Sequence, residues 1–167
     1  MNQNFNFLPV AMMKEQAMLE LKQCNDYSAR FGLLLSEQEI SMLIESRKDS
    51  LSTNGRIEFG GGIIKKLILE FADSPYIDQD NYADILTELQ DCFYYFKNET
   101  LEDMTDDELI LLMKDYYNDE CQGSVEYLQA TVLENISRDI RYRSNYYKDL
   151  NGYEDEYSDF LNHQDDY

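Results

Sequence analysis

The longest apolar pattern in the chain lies within residues 78–98, DQDNYADILTELQDCFYYFKN. Its large apolar residues recur every three or four positions, which is the spacing of one face of an α-helix. These residues are Tyr82, Ile85, Leu86, Leu89, Phe93 and Phe96. Tyr94 and Tyr95 widen the apolar face, so the pattern predicts a helix at the centre of a bundle.

Five further segments show a helical periodicity of apolar residues. They begin near Leu8, Glu37, Ile63, Asp106 and Val125. Capping boxes at Ser36–Glu39 and Thr105–Glu108 support two of these starts, because each pairs a hydroxyl residue with a glutamate three positions later. The first helix is expected to end near Asn25, and Gly55 suits the left-handed residue that closes the second.

Helix-breaking residues are sparse, with two prolines and seven glycines in 167 residues. The strand-like fragment Ile57-Glu58-Phe59 is too short to make a sheet. The sequence therefore predicts an all-α fold, a single-domain bundle of five to six helices with short connections over residues 1–145. Residues 146–167 are acidic and tyrosine-rich, and are expected to form a mobile C-terminal tail.

The formal net charge of −20 comes from 34 acidic and 14 basic side chains. Such a charge repels phosphate backbones and anionic lipid surfaces, which argues against direct nucleic-acid binding and against a membrane role. It leaves three readings open: a charge that only keeps the protein dispersed, an acidic protein with a basic partner, and a nucleic-acid mimic. The three scattered cysteines and the absence of a signal-peptide pattern or a long apolar run favour a cytoplasmic location.

No catalytic, metal-binding or cofactor-binding residue is predicted. The single histidine, His163, lies in the expected tail, where it is poorly placed for a catalytic pair. The cysteines lack zinc-site spacing. A calcium loop centred on Gly152 would lack its first oxygen ligand and its closing glutamate.

The stretch GRIEFGGGIIKKL at residues 55–67 resembles a phosphate loop at first sight. Its spacing fits neither a Walker loop nor a dinucleotide-binding turn. Residues 47–66 nevertheless contain five bases against two acids, a net charge of +3. Bare amides at a helix start beside such a patch predict a candidate anion site. Its residues would be Arg56, Gly60, Gly61, Gly62, Lys65 and Lys66. The alternative is that these bases pair with surplus carboxylates of the same chain.

Tyrosine is frequent, with 14 residues. Exposed tyrosines among acidic residues are typical of contact surfaces. The candidate contact residues are Tyr94, Tyr95, Tyr146, Tyr147, Tyr153 and Tyr157. The alternative is that tyrosines fill boundaries between helices and keep their hydroxyls in water.

Five motifs together resemble an uncharacterised family of small proteins from Gram-positive bacteria. They are GRIEFGGG at 55–62, DSPYI at 73–77, FYYFKNET at 93–100, DDELI at 106–110 and GSVEYL at 123–128. The resemblance covers roughly residues 30 to 140 and implies neither an activity nor functional residues.

These observations predict a non-enzymatic protein–protein interaction or regulatory module of the bacterial cytoplasm with an unidentified, basic protein partner. Two alternatives remain from the sequence. One is a protein, with or without enzyme activity, that binds a small anion or a phosphate ligand at residues 56–66. The other is a nucleic-acid mimic.

Overall fold

The computed structural model describes residues 8–100 and 103–143, and within these ranges it contains helices and no strand. The helices are α1 (Leu8–Ser28), α2 (Glu37–Asn54), α3 (Gly62–Phe71), α4 (Tyr82–Glu99), α5 (Asp106–Asn118) and α6, which begins at Val125–Tyr127. A short 3₁₀ turn, Ala29–Phe31, follows α1. The predicted all-α fold with five to six helices is confirmed. The predicted tail lies outside the described residues, so the boundary at residue 145 stays a prediction.

Local sequence signals set several helix ends. At the start of α2 the Ser36 hydroxyl accepts from the Glu39 amide at 3.1 Å, and the Glu39 carboxylate accepts from the Ser36 amide at 3.0 Å. Thr105 and Glu108 form the same reciprocal pair at the start of α5. Gly55 closes α2 in the left-handed conformation, with φ of 63°. Both capping boxes and the glycine cap are therefore confirmed.

The first helix is longer than the sequence pattern predicts. It continues past Asn25 to Ser28 before the chain turns at Gly32. The Asn25 side chain does not stop the helix, because it binds the connector instead. Its amide donates to the Leu35 carbonyl and its oxygen accepts from the Leu35 N–H, both at 2.9 Å.

The last helix also differs from a regular α-helix. After Val125–Tyr127 it passes through a π-helical segment, Leu128–Leu133, and returns to α-helix over 134–143. The apolar residues of this region, Leu128, Val132, Ile136 and Ile140, repeat every four positions. That period is longer than the 3.6 residues of an α-helical turn, and the wider π turn takes up part of the difference.

Helix α4 occupies the centre of the bundle, as its apolar pattern predicts. It packs against α2, α3, α5 and the start of α6. Leu89, Phe93 and Phe96 on this helix are fully buried. None of the described helices combines the length and the apolar character needed to cross a bilayer.

Two ion pairs show the relative direction of α3 and α5. Lys66 of α3 binds Asp107 of α5 at 2.7 Å, and one to two turns further along, Glu70 lies 3.7 Å from Lys114. Both pairs advance in the same direction along the two helices, so α3 and α5 are parallel. Their N-termini therefore lie at the same end of the bundle, next to the α2–α3 connection.

We expect Leu89→Ala to lower the free energy of unfolding by about 2–5 kcal/mol, because it removes a fully buried side chain and leaves a cavity. Leu111→Ala is the matched control, since Leu111 is 48% exposed. It should change the free energy by about 0.5 kcal/mol or less. Urea unfolding followed by circular dichroism measures both. An equal loss of unfolding free energy in the two variants would contradict the central position of α4.

Candidate functional site

The connection between α2 and α3 carries two of the three most exposed large apolar side chains of the described residues. Residues 56–59, here called the 56–59 segment, alternate between inward and outward side chains. Glu58 faces inward with a side chain only 6% exposed, and Arg56 faces inward beside it. Ile57 and Phe59 face solvent and are 76% and 71% exposed. A period of two is that of an extended chain.

The Glu58 carboxylate holds the segment against the bundle. One oxygen accepts from the Tyr94 hydroxyl at 2.7 Å and from Arg56 Nε at 2.9 Å. The other accepts from the Ile63 amide at 3.0 Å, at the start of α3. These donors replace the water that the buried carboxylate loses.

Arg56 extends the network to α5. Its two terminal nitrogens donate to both oxygens of Asp106, at 3.2 and 2.5 Å, in a bidentate pair. The guanidinium also lies 5.7 Å from the centre of the Phe93 ring. Lys97 Nζ is 3.4 Å from the same carboxylate and donates to the Met104 carbonyl. The segment is thereby tied to the first turn of α5 and to α4.

The pKa directions follow from these contacts. Burial favours the neutral form of Asp106, but hydrogen bonds and charge from Arg56 and Lys97 outweigh it and lower the pKa of this carboxyl. Burial alone would lower the pKa of Arg56, yet Asp106 and Glu58 together raise it. Burial, followed by the charge of Glu58, raises the pKa of Tyr94. Asp106 and Arg56 are thus held charged, and Tyr94 neutral.

The triple glycine forms a turn that receives carboxylates of the same chain. The Gly61 amide donates to Glu20 Oε2 at 2.5 Å, and Arg47 donates to the Gly60 carbonyl at 2.8 Å. Gly60 and Gly62 have φ of 59° and 50°, which L-residues rarely adopt. A Cβ at Gly60 would also collide with the Glu20 carboxylate, and one at Gly62 with that of Glu58.

At Gly61 this geometry differs from the expectation of bare glycine amides, because that amide donates to Glu20. Gly60 and Gly61 are buried, and the anion beside the turn is the carboxylate of Glu20. Lys66 pairs with Asp107, and Lys65 is exposed on α3. An external anion would have to displace a carboxylate of the chain. Arg56 and Lys66 instead pair with carboxylates of the same chain, as the alternative prediction states.

A small cavity of about 190 Å³ adjoins the network at the C-terminal ends of α2 and α4. Its walls are Asn54, Gly55, Arg56, Tyr94, Lys97 and Asn98. The two cations in this lining, Arg56 and Lys97, lie near the C-terminal ends of α2 and α4, where the helix dipoles are negative. Both also interact with Asp106, so their positive charge is compensated locally. This space fits a few water molecules or one small polar molecule.

The candidate tyrosines fall into three groups. Tyr94 is buried, with 2% exposure, and its hydroxyl donates to Glu58, so it is not available to a contact surface in this structure. Tyr95 is half exposed on α4. Tyr146, Tyr147, Tyr153 and Tyr157 lie outside the described residues and stay a prediction.

Other chemistry is sparse in residues 8–100 and 103–143. No group of three or more His, Cys, Asp or Glu side chains could hold a metal ion there. The three cysteines are buried thiols, and burial raises the pKa of Cys92 to about 12. A thiol with so high a pKa is a poor nucleophile at neutral pH.

Four members of this network were not among the candidate site residues predicted from the sequence: Glu20, Arg47, Glu58 and Asp106. Glu20 and Asp106 lie 41 and 50 positions from the groups they bind. Among 34 acidic residues nothing distinguishes them locally. For Glu58 a signal existed, since an acid between Ile57 and Phe59 in a strand-like alternation suggests an inward-facing carboxylate.

The fold and this network define a small helical domain with an internally neutralised, glycine-rich connection. The chain belongs to a family of unknown function, DUF6323, whose family model matches residues 20–146. This confirms the resemblance to an uncharacterised family, and the match includes every member of the network. Neither the curated proteins nor the solved structures contain a match to the chain.

We expect Gly60→Ala to destabilise the fold more than Gly55→Ala does. The two glycines have similar φ, 59° and 63°, so both substitutions carry about 1–2 kcal/mol of backbone strain. Only at Gly60 would the new Cβ push the Glu20 carboxylate from the Gly61 amide, which adds about 1.5–3 kcal/mol for the loss of a charge-assisted hydrogen bond.

Urea unfolding of the two variants measures this difference. In a Glu20→Ala background the extra cost of Gly60→Ala should disappear, because the displaced partner is already gone. An extra cost that persists in that background would show that Glu20 is not what the turn accommodates.

We expect the stability advantage of wild type over Asp106→Asn to depend on pH. The pKa of Asp106 is lower in the folded chain than in the unfolded chain, so on acidification the unfolded state binds the proton first. The advantage should be constant above about pH 5 and should shrink below about pH 4. Urea unfolding from pH 7 to pH 3 measures it. Asp107→Asn in the same turn controls for the lost charge, because its exposed pair with Lys66 contributes little to stability. An advantage that does not change with pH would exclude the ion pair as its source.

Proposed function

We propose that the protein is a non-enzymatic interaction module that binds a basic protein partner through the 56–59 segment. The observation that carries this proposal is the pair Ile57 and Phe59, exposed at 76% and 71% while the residues between and beside them are anchored. Two neighbouring large apolar side chains exposed together on an anchored connection form the kind of apolar patch that contact sites use.

The anchoring supports a binding role because it removes an entropic cost. A flexible loop loses conformational freedom when it docks, and that loss weakens binding. Here Glu58, Arg56 and the Gly60 carbonyl already hold the chain between α2 and α3. Ile57 and Phe59 therefore meet the partner from a backbone that is already fixed.

Charge indicates the chemistry of the partner. The segment is joined through Arg56 to the first turn of α5, where Asp107 and Glu108 are exposed, with Asp103 exposed just before it. The whole chain carries a net charge of −20. A partner with an apolar pocket and a basic rim complements both features, and the acidic field would speed their encounter at low salt.

The proposal places this module in the bacterial cytoplasm, where buried, unpaired thiols such as these are the rule. The two alternatives have less support. Carboxylates of the chain already bind at the glycine turn, and the nucleic-acid mimic rests on net charge alone.

The test uses a photo-crosslinking amino acid in place of Phe59, with the same group in place of Met42 as the control. Met42 is 64% exposed on α2, so its environment matches in exposure but not in position. In cells of the source organism, we expect crosslinks to a basic protein from position 59 and not from position 42. The same partner crosslinked from both positions would contradict the proposal.

The captured partner then permits a binding measurement. Ile57→Ser with Phe59→Ser should weaken the complex by about 100-fold, since two buried apolar anchors commonly contribute 1–2 kcal/mol each. Met42→Ser with Leu111→Ser removes two other exposed side chains and should leave the affinity within about twofold. Calorimetry in 50 and 300 mM salt measures both pairs. An affinity insensitive to the Ile57 and Phe59 changes would refute the proposed surface.

A further inference from the structure

We infer that the partner binds as an extended strand that pairs with the backbone of Ile57–Phe59; this rests on the proposed function and specifies its mode. The backbone amides and carbonyls of Ile57, Glu58 and Phe59 form no hydrogen bond to any other residue in the described part of the chain. A segment whose side chains alternate as in an extended chain, and whose backbone groups are unpaired, is a template for strand addition.

The two ends of this template are fixed. On one side the Arg56 amide donates to the Leu51 carbonyl at 3.0 Å. On the other, the Gly60 carbonyl accepts from Arg47 at 2.8 Å. Glu58 fixes the centre through Tyr94 and the Ile63 amide. The bundle therefore holds a three-residue edge in place without using its backbone hydrogen bonds.

The alternation of side chains sets the geometry of pairing. In an extended chain, the N–H and C=O groups of Ile57 and Phe59 point to one edge, and those of Glu58 point to the other. An antiparallel strand along the Ile57 and Phe59 edge could form up to about four hydrogen bonds. Its outward side chains would lie beside Ile57 and Phe59, which favours aliphatic residues at alternate positions.

The occupant is a basic, alternating strand of another protein and not a second copy of this chain. Two copies would bring together two chains that each carry a net charge of −20. Lysine or arginine between the aliphatic residues would instead be attracted by the net charge of −20, to which the exposed Asp103 contributes just before α5.

Three synthetic decapeptides test this mode on the full chain. The first alternates valine and lysine, the second has the same composition as a valine block and a lysine block, and the third is the first with every backbone amide N-methylated. We expect the alternating peptide to bind at least about tenfold tighter than the other two, because only it offers both the pattern and the hydrogen-bond donors.

Amide hydrogen exchange on ¹⁵N-labelled protein gives a second readout. With the alternating peptide bound, the Ile57 and Phe59 amides should exchange about tenfold more slowly, and the Glu58 amide should not. Uniform slowing of all three amides, or no slowing, would overturn strand pairing.

The variant Ile57→Ser with Phe59→Ser separates this inference from the proposed function. If the N-methylated or the block peptide binds wild type as tightly as the alternating one, and the variant still loses that binding, strand pairing is overturned and apolar docking stands. If the variant binds the alternating peptide as wild type does, the docking surface itself fails.

A concentration-dependent dimer that blocks the peptide and is lost in the variant would overturn the inference by assigning this edge to a second copy. Analytical ultracentrifugation detects it.

Discussion

A single buried carboxylate, that of Glu58, joins three parts of this fold. It accepts hydrogen bonds from Arg56 in its own segment, from Tyr94 in the central helix α4 and from the amide of Ile63 in α3. A charge taken out of water is stable only where donors of this kind surround it. The positions of these donors therefore determine the path of the chain between α2 and α3. The neighbouring ion pair of Arg56 with Asp106 attaches α5 to the same connection.

The inward position of the Glu58 side chain also determines where its two neighbours point. In an extended chain the residues on either side of an inward side chain must face away from the core, and here those residues are Ile57 and Phe59. The same constraint that satisfies a charge thus exposes two apolar side chains. A protein with 34 acidic residues could cover the end of its bundle with solvated carboxylates, yet this chain buries the acid and presents the apolar residues.

The contrast between fold and site shows what the sequence could predict. The helix starts at Ser36 and Thr105 and the cap at Gly55 depend on residues within four positions of one another, and the central α4 depends on one continuous pattern. These local features were all predictable. The site is different, because Glu58 and Tyr94 are 36 positions apart and Gly61 and Glu20 are 41 apart. The spacing of apolar residues along the chain contains no information about contacts between such distant positions. The glycine cluster predicts a place for an anion, but the carboxylate that binds there could come from anywhere in an acidic chain.

The glycine turn has one more consequence. Glu20 and Gly61 belong to the same molecule, so the carboxylate reaches the amide at an effective concentration that for tethered groups is commonly about millimolar or above. Diluting the protein does not dilute this ligand, and no diffusing anion has the same advantage. Occupancy of the turn therefore depends on the folding equilibrium of the chain and not on the protein concentration.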